Sequence, residues 1–195
     1  MSGAPLALRE AGEGDLSAIA QVHHRAYDRS HFTSLLPAET LIAYYRYFLT
    51  DRAGIVLAEA PDGAGLSGFA VSGEGIPEGI ARFKREHRHA ILRAALAHPA
   101  QSARKAALQI VRRAGAAGVP PAPFLLLSIA AAVKGQGVGR VLLDAVHDRA
   151  RRQGHDRIGL YVNSPNIGAI NAYVAAGYRF TALLHDQYYM EARLA

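Results

Sequence analysis

Apolar residues recur along this chain with two periods, and the points where the period changes divide it into elements. Residues 6–10 read as a short strand. From Asp15 the spacing lengthens: Leu16, Ile19, Ala20, His23 and Tyr27 recur at helical intervals, with Asp15 placed to cap them. A second helix is predicted over residues 38–49, rich in Tyr and Leu. Residues 54–60 and 66–72 are strand-length apolar runs, and Pro61-Asp-Gly-Ala-Gly65 between them has turn chemistry, so the pair reads as a hairpin. Residues 76–118 break the rhythm. There, Ile91, Leu92, Ala95 and Leu96 predict a helix ending near Pro99, and Ala103, Ala107, Ile110 and Ala114 give one apolar face to another. Residues 124–130 then form an apolar run of strand length, as a central strand buried on both faces does. The glycine-rich stretch 133–139 opens a helix with the stripe Val138, Val141, Leu142, Ala145 and Val146, which Gly154 ends. A strand over 157–162, a helix over 166–176 stopped by Gly177, and strands over 178–184 and 188–194 complete a mixed α/β order without repeats.

With 195 residues, half of them hydrophobic and 19% charged, the chain fits one domain, here taken as residues 1–195. A chain of that length buries roughly 70% of its unfolded surface on folding and needs no covalent staple. The absence of cysteine excludes disulfides, thiolate metal sites and a cysteine nucleophile. No charged segment followed by an apolar core opens the chain, and its longest apolar run falls short of the roughly 20 residues a bilayer crossing takes. A soluble, cytoplasmic protein is expected.

The net charge of +6 is uneven. Residues 76–118 hold nine Arg or Lys against two Glu, while the rest of the chain is nearly balanced. This segment reads in three ways. It is a lid whose arginines grip an acidic acceptor, a basic helix pair in peripheral contact with an anionic membrane, or a solvated pair packed on the sheet. Nucleic acid is not an expected partner, because Phe83 is the segment's one residue from the Phe, Trp and Tyr set and no reading helix is evident. His23-His24 and His87-x-His89 lack the carboxylates and spacing of a ligand set, so no metal is expected.

Lys134-Gly-Gln-Gly-Val-Gly-Arg140, between a strand and a helix, has a physical use. Glycines permit positive φ and close approach of a ligand to the backbone. The first amides of the helix lack internal partners and its dipole favours negative charge, which together suit phosphate. The spacing fits neither a P-loop nor a dinucleotide fingerprint, which would need a third glycine where Arg140 stands. By itself the turn could equally be a plain connection.

About thirty residues on lies Asn166-Ile-Gly-Ala-Ile-Asn-Ala-Tyr-Val-Ala-Ala-Gly-Tyr178. With both segments in order, the chain resembles the GNAT superfamily of N-acetyltransferases. That family's pyrophosphate loop has the form Arg/Gln-x-x-Gly-x-Gly/Ala, matched by residues 134–139 with Lys in first place. Its later motif, Asn-x-x-Ala-Ile-x-x-Tyr-x-x-x-Gly-Phe/Tyr, is met by Asn166, Ala169, Ile170, Tyr173, Gly177 and Tyr178. The likeness covers residues 124–194 well, the earlier elements by order alone, and residues 76–118 not at all. Ala131 stands where many relatives have proline.

The resemblance implies a mixed sheet of six to seven strands, splayed between the fourth and fifth and flanked by about four helices. Residues 76–118 would be a helical insertion between strands three and four. It implies acetyl-CoA as cosubstrate, with pyrophosphate on the amides of Gly135, Gln136, Gly137, Val138, Gly139 and Arg140, and Lys134 and Arg140 flanking it. The pantetheine arm would lie along Ile129 to Ala131, with Asn166 and Ala169 also at the cofactor. Tyr173 would give a proton to the departing thiolate. No carboxylate lies on the fourth strand; Glu59, Glu74, His23, His185, Asp186 and ordered water are the candidates for removing the amine's proton. The activity implied is acetyl transfer to a primary amine of a small molecule, such as an amino sugar, or of a peptide. A non-catalytic acyl-CoA-binding module and a membrane-surface acyltransferase acting on a lipid-linked acceptor are the other readings. Members of the family often pair into homodimers.

Overall fold

The computed structural model describes residues 6–27, 31–61, 63, 65–99, 120–133 and 135–194. Its strands are β1 (Leu8–Glu10), β2 (Ala53–Glu59), β3 (Leu66–Gly73), β4 (Phe124–Ala131), β5 (Arg157–Asn163), β6 (Arg179–Leu184) and β7 (Gln187–Arg193). The α-helices among the described residues are α1 (Leu16–Ala26), α2 (Ala38–Arg46), α3 (Ile76–Glu86), α4 (Arg88–Ala97), α5 (Val138–Arg152) and α6 (Ile167–Ala175). None of them is long and apolar enough to cross a membrane.

All seven strands join in one sheet, in the order β1-β2-β3-β4-β5-β7-β6, and β4 with β5 is the parallel pair. The alternation of side chains along each strand feeds a core on either face. Ile55, Leu57, Phe69, Val71 and Leu125 pack with α1, α2 and α3 on one side. Val56, Ala58, Ala70, Phe124 and Leu126 pack with α5 and α6 on the other. The strand predicted to be buried on both faces is thus β4, supplying Leu125 to one core and Phe124 and Leu126 to the other.

Three local features differ from the sequence reading. Asp15 does not cap α1 through its side chain; it has a helical backbone (φ −88°, ψ −14°) and is the last residue of a 3-10 turn, Glu13–Asp15. Its carboxylate instead accepts from the Gly12 amide at 2.8 Å and pairs with Arg9 at 2.7 Å. The second helix ends at Arg46, because the chain tightens there into i→i+3 bonds from Phe48 to Tyr45 and from Leu49 to Arg46. Helix α3 carries too few apolar residues to have signalled itself. Its buried contacts are Ile76 and Phe83, the latter edge-on to Tyr44 with centroids 5.0 Å apart. The helix predicted from Ala103 to Ala114, with Arg104, Lys105, Arg112 and Arg113, lies outside the described residues.

Two features of β4 set up the site. Its pairing with β5 covers Phe124↔Ile158, Leu125↔Gly159 and Leu126↔Leu160 and goes no further. Against β3 the register slips between Val71 and Ser72, which leaves Leu127 as an extra, bulged residue. Beyond that point β4 keeps β3 and parts from β5.

Candidate functional site

The direction of the β4 backbone past the bulge follows from one ladder bond. The Ala132 amide donates to the Ser67 carbonyl at 2.8 Å, next to the pairs Gly68↔Ala131 and Ala70↔Ile129. In an antiparallel ladder, bonded and non-bonded pairs alternate. Ala130 and Ala132 therefore face β3, while Ile129 and Ala131 turn their amides and carbonyls toward the gap that β5 has left. Ile129 and Ala131, named above from the family resemblance, have their backbone groups on the open edge.

Four residues after Ala131 comes the glycine turn. Gly135 and Gly137 adopt left-handed backbones, with φ of 85° and 76°, and Gly137 sits at the N-cap of α5. A Cβ added at Gly135, Gly137 or Gly139 would meet nothing within 4 Å, so the protein's own packing does not demand glycine's small size at any of them. Among the described residues, the amides of Gly137, Val138 and Gly139 have no backbone acceptor; the first such bond is from Arg140 to the Gly137 carbonyl. Val138 anchors the turn in the core, while Gln136 and Arg140 are exposed and Arg140 pairs with Asp144 at 3.1 Å. Lys134 lies outside the described residues. Room at three glycines, amides without a backbone acceptor among the described residues and a helix N-terminus are the features of an anion cradle.

Asn166 caps α6: its side chain accepts from the Ala169 amide at 3.3 Å, and its own amide hydrogens have no acceptor among the described residues. Ala169 is half-buried against the core. Two turns along, Tyr173 is buried, its ring 5.7 Å from that of Tyr178. Its hydroxyl has no hydrogen-bond partner among the described residues. Burial drives the Tyr173 hydroxyl well above the ordinary tyrosine range, and nearby Tyr27 adds to the shift. It is a neutral donor at pH 7.

Tyr27 is a site residue that the sequence did not signal, since its place in the helical pattern of α1 makes it look like core. It stands at the C-cap of α1, and its hydroxyl donates to the Ile129 carbonyl at 3.0 Å and lies 2.8 Å from Ser128 Oγ. Tyr27 touches β4 and is near enough to Tyr173 to act on its titration. No spacing rule links positions a hundred residues apart.

The candidate bases are scattered. Glu59 pairs with Arg9 at 2.7 Å, two strands from β4. Glu74 is shared by Arg52 and His155 near the opposite end of the sheet. His23 is buried, and desolvation, with smaller effects of His24 and His31, brings its pKa down to about 3. His185 and Asp186 form the β6–β7 turn, where the Asp186 carbonyl accepts from Ser164 just past β5. A separate open cleft of about 660 Å³, lined by Glu10, Gly54, Arg149 and Arg152 among others, lies at the far end of β2 from the glycine turn.

The profile of the acetyltransferase (GNAT) family matches residues 9–178, most of the chain. This chain belongs to the GNAT acetyltransferase family. The GNAT fold extends to solved structures of low sequence identity. One is the PaiA N-acetyltransferase of Thermoplasma acidophilum in complex with coenzyme A: 14% identity, TM-score 0.63, covering 97% of this chain and 99% of that one. Another is YncA of Salmonella typhimurium with its cofactor acetyl-CoA: 16% identity, TM-score 0.60, covering 98% and 95%. The ribosomal-protein-alanine N-acetyltransferase of Brucella melitensis is 17% identical, with TM-score 0.62 over 97% and 100%. No curated protein matches the chain. As in the expectation from sequence, the GNAT sheet here is mixed, seven-stranded and opened between β4 and β5, with α3 and α4 inserted between β3 and β4.

Proposed function

We propose that this chain binds acetyl-CoA and transfers its acetyl group to a primary amine of a small molecule, amino sugars included, or of a peptide. The observation that carries this reading is an open strand edge leading directly into an anion cradle. Ile129 and Ala131 offer backbone groups to an extended arm, and the free amides of α5 begin a few residues later.

The pyrophosphate rests on the amides from Gly135 through Gly139, with Gln136 and Val138 in the same turn and the charges of Lys134 and Arg140 beside it; the Arg140 amide itself is taken by the Gly137 carbonyl. The unused amide hydrogens of Asn166 donate to the arm, and Ala169 lies beside it. Family membership, and the likeness of the fold to chains solved with coenzyme A and acetyl-CoA, support this cosubstrate. The thioester supplies an acyl group already activated for attack. Tyr173, buried, protonated and unpartnered, gives a proton to the departing sulfur.

An alkyl ammonium has a pKa near 10 and must lose a proton before it attacks. His23 is too weak a base, and Glu59 and Glu74 are engaged in ion pairs. The proton leaves through water, with His185 and Asp186 the nearest titratable turn to the end of β5.

Calorimetric titration with acetyl-CoA, followed by a thiol-release screen over amino sugars, polyamines, amino acids and peptides, tests the proposal. Micromolar binding and amine-dependent thiol release are expected. A protein that binds no acetyl-CoA overturns the reading, and one that binds it but acetylates no amine is a binding module.

A further inference from the structure

Tyr27 belongs to neither motif that carries the family resemblance, yet its hydroxyl sits on the open edge of β4. The phenol has one proton, and it goes to the Ile129 carbonyl at 3.0 Å. Ser128 Oγ, 2.8 Å away, is therefore the donor in the second contact. Behind them the His23 ring lies 4.4 Å from that of Tyr27, and His23 Nδ1 meets the Tyr45 hydroxyl at 2.5 Å. His31 closes the other side, its ring edge-on to Tyr27 at 4.8 Å. The phenol is thus held by rings and hydroxyls, and burial keeps it protonated.

Tyr27 and Tyr173 reach this place from opposite sides. Tyr27 packs with the core beneath α1 and α2, and Tyr173 with the core beneath α5 and α6. They are close enough for Tyr27 to affect the titration of Tyr173. Tyr27 reaches β4 at Ile129, past the point where its pairing with β5 ends.

Resting on the function proposed above, we propose that Tyr27 is a second catalytic residue, the hydrogen-bond donor to the carbonyl oxygen of the bound thioester. The Ile129 carbonyl is the acceptor that the arm's own amide would use when it pairs with β4. Once that amide takes it, the Tyr27 hydroxyl turns to the next acceptor on the same edge. In the transfer, the amine nitrogen forms a bond to the carbonyl carbon and electron density moves onto oxygen. The C–S bond then breaks, sulfur keeps the electron pair, and it takes up a proton. Tyr27 eases the first part by a hydrogen bond and keeps its proton throughout. Tyr173 serves the sulfur. Neither phenol can accept the ammonium proton, because both are held in the neutral form. A donor aimed at developing charge in a desolvated site is worth about 10²–10³ in rate.

The test is infrared difference spectroscopy of the full chain with acetyl-CoA carrying ¹³C at the thioester carbonyl, beside calorimetric affinities and melting curves. In the wild type the carbonyl band should lie below its position in a solvent that donates no hydrogen bond. Tyr27→Phe should raise it, lower turnover about 100-fold with an amine found by screening, and change the acetyl-CoA Kd less than about threefold. Tyr173→Phe should leave the band in place. An equal band in wild type and Tyr27→Phe, or a wild-type band that is not lowered, overturns the role of Tyr27 while leaving acetyl-CoA binding intact. Absence of acetyl-CoA binding by the wild type overturns the functional reading itself. If Tyr27→Phe does not fold, the wild-type band alone decides.

Discussion

The guanidinium of Arg149 lies against the bare backbone of Gly54, in the space a side chain there would fill. Its Nη1 also bonds both carboxylate oxygens of Glu10 at 2.8 Å, so one arginine ties α5 to the β1–β2 edge. Gly54→Ala should displace the guanidinium and cost about 1–3 kcal/mol. The check is urea denaturation. Acetyl-CoA affinity should not change, because Gly54 is at the far end of β2 from the glycine turn.

Stability should depend on pH through His23. Its folded pKa is about 3, against an ordinary value of 6.5, because burial disfavours the charged ring. The unfolded chain therefore binds an extra proton between those values. The stability His23 confers is present in full above pH 6.5 and lost as pH falls toward 3, with a slope approaching 1.4 kcal/mol per unit, roughly. His23→Gln should be less stable at pH 7 and should show a flatter decline from pH 6.5 downward. Parallel denaturation curves for the two proteins over that range would refute the assignment.

Gly139 separates folding from binding. It is helical, unlike Gly135 and Gly137, and a Cβ there meets nothing in the protein. Gly139→Ala should leave the melting temperature unchanged or raise stability by up to ~1 kcal/mol. If phosphate approaches the α5 amides closely, the added methyl group should weaken acetyl-CoA binding about tenfold or more. Calorimetry and thermal melting on the same sample decide it.

Tyr173→Phe removes a hydroxyl that has no partner among the described residues, so its effect on stability should be within about 0.5 kcal/mol. Turnover should fall by about 10²-fold or more, with little change in acetyl-CoA affinity. Unchanged turnover would remove the hydroxyl from the chemistry.

Much of this architecture could be read from residue order. The strand-length apolar runs became β2, β3 and β4, and the stripe beginning at Val138 became α5, because burial in a sheet and on a helix face leaves different spacings. The glycine turn and the Asn166–Tyr178 segment were legible because backbone geometry fixes local spacing. Helix α3 was not, since five of its eleven residues are acidic or basic against two buried ones, and its burial is decided by Tyr44 and Phe83 meeting from distant segments. The same holds for Tyr27. Its apolar ring fits the helical pattern of α1, and only the folded sheet brings its hydroxyl to Ile129. A contact made by one oxygen across a hundred residues leaves no periodic trace.

The short parallel joint between β4 and β5 has a mechanical consequence. Three residue pairs form the ladder that joins one half of the sheet to the other, and beyond Leu126 no ladder bond between β4 and β5 resists a change in their angle. A small rotation about this seam would widen the mouth without unpicking the β2–β3–β4 ladder. An arm laid along residues 127–131 would close the seam, and amide deuterium uptake should slow there more than anywhere else in the strands.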